Sequence, residues 1–127
     1  MPFAVILTPE KDYLRAEVRG ARNVGSHAQD MIAGLTEVAG RCRATGLRRV
    51  LGIVALTGPA PTIGAFEVGK ALPALFTGVV DRFAFVVHGD AEALQTNRFV
   101  EDVVVNRGVR AQMFQDEDAA LRWLLAP

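Results

Sequence analysis

The sequence predicts an α/β domain: a mixed five-stranded sheet, begun by an N-terminal β-hairpin and continued by alternating helices and strands, packed with four helices. Three observations predict it. Near the N-terminus an apolar run and a strictly alternating run flank a short turn. Three further apolar runs follow, each separated from the next by a stretch of helical periodicity. The chain closes on MFQDEDAALRWLL, a strand passing into an amphipathic helix that carries the only Trp.

The elements follow in order. Phe3 to Leu7 is continuously apolar and reads as a buried strand, and Pro9-Glu10-Lys11-Asp12 is turn chemistry. From Tyr13 to Arg19 the chain alternates. Leu14, Ala16 and Val18 face one way; Tyr13, Arg15, Glu17 and Arg19 face the other, which is expected to be wet. After the loop Gly20 to Gly25, Ser26 with Gln29 three residues on has the form of a capping box. Ala28, Met31, Ile32, Leu35, Val38, Ala39 and Cys42 form one helical stripe, and Gly46 ends it.

Val50 to Leu56 is apolar on both faces apart from Gly52, as a central strand beneath helices should be. Gly58-Pro59-Ala60-Pro61 is a rigid loop. Thr62 is placed to cap a second helix with Phe66, Gly69, Leu72 and Phe76 on one side, which Pro73 should kink or end. Phe83 to Val87 is a fourth strand. Asp90 caps a third helix carrying Leu94, Val100, Val103 and Val104, ending before Gly108. Val109 to Phe114 is the fifth strand. Asp116 caps the last helix, with Ala119, Ala120, Trp123 and Leu124 as its buried stripe.

No linker, repeat or low-complexity segment divides residues 1–127, so one domain is expected. The 14 basic and 14 acidic residues balance, which gives no global field for nucleic acid or anionic lipid. A single cysteine excludes an intrachain disulfide and a cysteine-based zinc cluster. No apolar stretch approaches the ~18 residues of a membrane span, and the N-terminus has no signal-peptide pattern. A cytoplasmic domain with no integral membrane segment is the expectation.

Few residues carry candidate chemistry. Thr57 and Thr62 flank the loop beyond the third strand, where open α/β sheets bind ligands. Thr62, at a helix N-terminus, could meet an anion or be phosphorylated, against the simpler role of an N-cap. His88 follows the fourth strand as a general base, a ligand or a solvated loop residue. His27 is expected at the surface. Arg98 is placed to reach an anionic group from the third helix. The glycines at 58, 64 and 69 fit neither a Walker loop nor a dinucleotide fingerprint. No catalytic triad is marked, and neither metal nor cofactor is expected.

The second helix is the least usual element. From Ile63 to Val80 its only charges are Glu67 and Lys70. So apolar a helix lines a cavity for a lipid or other apolar ligand, forms a dimer surface, or is buried on two sides.

The order of elements, LRAEVRG in the second strand, RVLGIVALTG in the third and MFQDEDAALRWL at the end together resemble the STAS/SEC14-like proteins, the SpoIIAA-like group. The most distinctive part is Phe114, Asp116, Ala120, Trp123 and Leu124. The resemblance covers nearly the whole chain and implies a non-enzymatic binding or regulatory role with a protein partner or a second copy of the chain. SEC14-like folds also imply the alternative of a carrier for a lipid or other apolar molecule. Anti-sigma-factor antagonists of this type place Asp-Ser-Ser-Gly before the second helix, with a phosphorylated serine. Here the stretch is Pro61-Thr62-Ile63-Gly64. Gly64 agrees and Thr62 keeps a hydroxyl, but Pro61 replaces the acid and Ile63 the serine usually modified. The resemblance thus points to Thr57, Thr62, Gly64, Phe66 and Phe76 as binding or regulatory candidates, with Ile63 favouring an apolar contact over a phospho-switch.

Overall fold

The computed structural model describes residues 3–23, 25–58, 62–88 and 91–127, with backbone only at 62, 63, 92 and 93. The strands are β1 (Phe3–Pro9), β2 (Leu14–Ala21), β3 (Arg49–Thr57), β4 (Arg82–Val87) and β5 (Ala111–Phe114). The helices are α1 (His27–Thr45), α2 (Thr62–Phe76), α3 (Ala91–Asn106) and α4 (Glu117–Leu125). The strands lie side by side in chain order. β1 pairs antiparallel with β2, bringing Val5 opposite Val18, and all later pairings are parallel. The described residues therefore form a small α/β domain with a mixed five-stranded sheet and four helices.

Side-chain alternation divides the core in two. Leu14, Ala16, Val50, Phe83, Phe85 and Met113 point to the face covered by α1, α2 and α3. Leu51, Ile53, Ala84 and Val86 point to the other face, where Ala120 and Leu124 of α4 cover them. β3 is central and apolar on both faces because helices lie on both. Gly52 admits the Phe83 ring onto β3, since a Cβ there would lie 3.0 Å from Phe83 Cε1.

The expected wet face of β2 is only partly wet. Glu17 is buried, and its carboxylate accepts hydrogen bonds from Arg15 (2.9 Å) and Arg19 (2.7 Å). Arg15 also reaches Glu117 of α4 at 3.4 Å, so α4 shades this end of the sheet. The bonds from Arg15, and then those from Arg19, hold the Glu17 carboxyl below the usual carboxylate range.

Helix ends follow local chemistry with one exception. Gly46 takes the left-handed conformation (φ 78°) and donates to Cys42 O at 2.9 Å. The Asp116 side chain accepts from the Asp118 and Ala119 amides. The capping box at Ser26 does not form. Its hydroxyl donates to Asp30 at 2.8 Å and accepts from no first-turn amide, the Ser26 backbone (φ −134°, ψ 10°) lying outside the extended region usual for an N-cap. The expected cap Asp90 lies outside the described residues.

Pro73 does not end α2, which continues to Phe76. An interior proline costs a helix about 3 kcal/mol. Leu72 and Phe76, 2% and 0% exposed, offset this by roughly 2 kcal/mol or more each. On α4 the fully buried positions are Ala120 and Leu124. Trp123, expected to be buried, is only partly so. It lies at the helix edge, 5.9 Å from the Phe114 ring and beneath the Arg82 guanidinium.

Candidate functional site

The parallel strands β2, β3 and β4 all point their carboxyl ends toward the N-termini of α1, α2 and α3. A cavity of about 90 Å³ lies there, between the sheet and the helical layer. Its floor is Val18, Val50, Val54 and Phe85; its roof includes Leu35, Val68 and Val100. Four polar side chains meet this largely apolar space: Arg22 after β2, His27 at the start of α1, and Thr96 and Asn97 on α3. Each lies near a strand's carboxyl end or the N-terminal half of a helix, the position where open α/β sheets hold ligands.

Local structure fixes these groups. Arg22 closes the β2–β3 ladder, its amide donating to Thr57 O at 2.9 Å and its guanidinium to Gly58 O at 2.7 Å. His27, expected at the surface, is only 8% exposed. Its Nδ1 is buried without a hydrogen-bond partner among the described residues. An orphaned polar atom of this kind costs about 1–3 kcal/mol. Burial first, and then the charge of Arg22, push the imidazole below its ordinary pKa, while Asp30 opposes them. His27 is therefore neutral at pH 7, with one ring nitrogen protonated and the other an acceptor.

The residues singled out from the sequence scatter around this cavity. Thr57 is exposed and its hydroxyl donates to Gly20 O at 3.3 Å, a tie between β2 and β3. The side chain of Thr62 lies outside the described residues, as does the loop 59–61. Gly64, in the first turn of α2, faces the start of α1. A Cβ there would lie 3.7 Å from Ala28 Cβ and 3.9 Å from His27 Cδ2.

Phe66 is not on the buried side of α2, which is formed by Ala65, Val68, Gly69, Leu72 and Phe76. Phe66 is 41% exposed, stacks on Phe99 of α3 at 6.2 Å and lies under Lys70 Nζ at 5.5 Å. Phe76 is fully buried and meets Phe83 edge-on at 5.3 Å, so it offers no surface to a partner. His88 and Arg98 are exposed, and neither lines the cavity. Cys42 is buried, and desolvation pushes its thiol pKa up, which suits a small core residue.

Sequence reading missed Arg22, His27, Thr96 and Asn97. The available signal was position alone: His27 follows the Ser26 cap one residue before the stripe begins at Ala28, which leaves it on the edge of the buried face. No helix among the described residues is long and apolar enough to cross a membrane. The chain matches no protein-family model and no curated protein.

Proposed function

We propose that the chain is a non-enzymatic binding module that holds a small, largely apolar molecule between its sheet and the α1–α2–α3 layer. The observation that carries this reading is the cavity of about 90 Å³ at the carboxyl ends of the parallel strands. Apolar walls with a few convergent polar groups at one end are the usual make-up of a small-molecule site. The resemblance to STAS/SEC14-like proteins supports a non-catalytic role and the carrier alternative.

The volume narrows the ligand. Sites for drug-sized molecules run to about 300–1,000 Å³, so a long lipid chain requires α2 and α3 to separate, whereas a compact molecule does not. Xenon under pressure tests the reading, because it enters apolar cavities without needing polar contacts. The methyl resonances of Val18, Val54 and Val68 should shift saturably with xenon pressure. Methyls that stay in place would overturn the proposal.

A protein partner, or a second copy of the chain, is the second reading. The exposed Phe66–Phe99 pair favours it, because two stacked aromatic rings there present apolar surface to solvent.

A further inference from the structure

The residue with the orphaned ring nitrogen, His27, is also one that lines the cavity. His27 is 8% exposed, lines the cavity, and among the described residues its Nδ1 has no partner. Buried polar atoms are nearly always satisfied, so one left over on a residue that also lines a cavity calls for a partner. Arg22 lines the same end and brings a positive charge. An apolar body with an anionic head matches this arrangement: hydrocarbon against the valines, charge beside Arg22, and a hydrogen bond from Nδ1–H of the neutral imidazole.

Size limits the body. An engineered apolar cavity of about 150 Å³ accommodates benzene. In proportion, the space here of about 90 Å³ suits roughly four heavy atoms.

We propose that this site binds a short-chain monocarboxylate, of the size of acetate or propionate, with its carboxylate accepting a hydrogen bond from His27 Nδ1–H beside Arg22 and its alkyl group in the valine-lined space. This rests on the binding-module reading above and deepens it. A carboxylate is the favoured head because Arg22 offsets the cost of burying its charge, which would otherwise exclude an ion from so apolar a space.

The test uses the full chain and three probes: xenon, sodium propionate and 1-propanol, followed by the cavity methyls and the His27 side-chain ¹⁵N resonances. Propionate should shift both sets saturably, and 1-propanol should bind at least about tenfold more weakly, as befits loss of a charged hydrogen-bond partner. In His27→Phe, propionate binding should fall by a similar factor while the methyls still respond to xenon, which shows that the variant is folded and retains space.

Equal binding of propionate and 1-propanol overturns the carboxylate assignment. So does undiminished propionate binding in His27→Phe. Xenon entry without propionate binding leaves the cavity standing and removes its ligand class, His27 then facing only water. If none of the three probes shifts the methyls, the binding-module reading falls together with this one.

Discussion

Gly69 of α2 and Val103 of α3 touch with no room for a side chain between them: a Cβ on Gly69 would lie 2.9 Å from Val103 Cγ1 and 3.1 Å from its Cβ. Valine is stiff at χ1 in a helix, so rotation does not relieve the clash. Gly69→Ala gains about 1 kcal/mol of helix propensity but overpacks the seam by about 1–3 kcal/mol. A net destabilisation of about 1 kcal/mol is expected in urea unfolding. Adding Val103→Ala should recover most of it, because the second change removes the atoms that clash. A stabilised Gly69→Ala protein would mean that α2 and α3 sit further apart than described.

His27 should make stability pH-dependent. Its folded pKa lies below the unfolded value of about 6.5. Between the two values the unfolded chain binds a proton that the folded chain refuses, so stability is fully present above about pH 6.5 and declines as pH falls. Arg22 and Asp30 are the charged groups that act on the ring, and Arg22 outweighs Asp30. Urea midpoints at pH 7.5 and pH 5.5 should differ more in the wild-type protein than in His27→Phe. Equal differences would show that the imidazole titrates as if in water.

The two neighbours Leu124 and Trp123 should differ in a way their size does not suggest. Leu124 is fully buried against the second face of the sheet, and Leu124→Ala is expected to cost about 3 kcal/mol. Trp123→Ala should cost about 2 kcal/mol, below the roughly 3–5 kcal/mol of a wholly enclosed aromatic ring, because Trp123 is only partly buried. Calorimetric or urea unfolding of both variants checks the order.

Arg82 holds the end of α4 from β4. Its guanidinium donates to the carbonyl of Trp123 (3.1 Å), in the last turn of α4 where the helix leaves carbonyls without partners, and to those of Ala126 and Pro127 (3.4 Å) just beyond it. Arg82→Met should speed amide exchange across α4 while β3 and β4 stay protected. Uniform loss of protection would show that α4 does not open separately.

The exposed aromatic pair offers a direct contest between the two functional readings. If Phe66 and Phe99 form a contact between copies of the chain, Phe66→Glu should convert a dimer to a monomer in sedimentation at equal folding stability. A wild-type protein already monomeric at high concentration removes self-association from consideration.

Most of the architecture was legible because strand and helix periods differ and caps are local. Tyr13 to Arg19 alternates, the α1 stripe repeats at three and four, and Gly46 and Asp116 mark helix ends through their own backbone or side chain. What failed depended on tertiary neighbours. Glu17 reads as solvated until Arg15 and Arg19 close over it. Pro73 reads as a kink or an end, and the helix does not end there because the buried Leu72 and Phe76 hold it through to Phe76. The site was the least legible part. Arg22, His27 and Asn97 belong to different elements, and only the parallel register of β2, β3 and β4 gathers them at one end. Phe66 and Phe76 looked equivalent in sequence, yet helix rotation sends one to solvent and the other to the core.

The sequential arrangement of the strands has a consequence for synthesis. Each strand bonds only to its neighbours along the chain, so the sheet can be laid down from one edge to the other as the polypeptide emerges. The α1–α2–α3 layer is complete by Asn106, but Leu51, Ile53, Ala84 and Val86 wait for Ala120 and Leu124. Until α4 leaves the ribosome, the nascent domain carries one covered face and one naked apolar face. A chain released before Asp116 would keep that bare face permanently, an adhesive plane open to chaperones and to other unfinished copies.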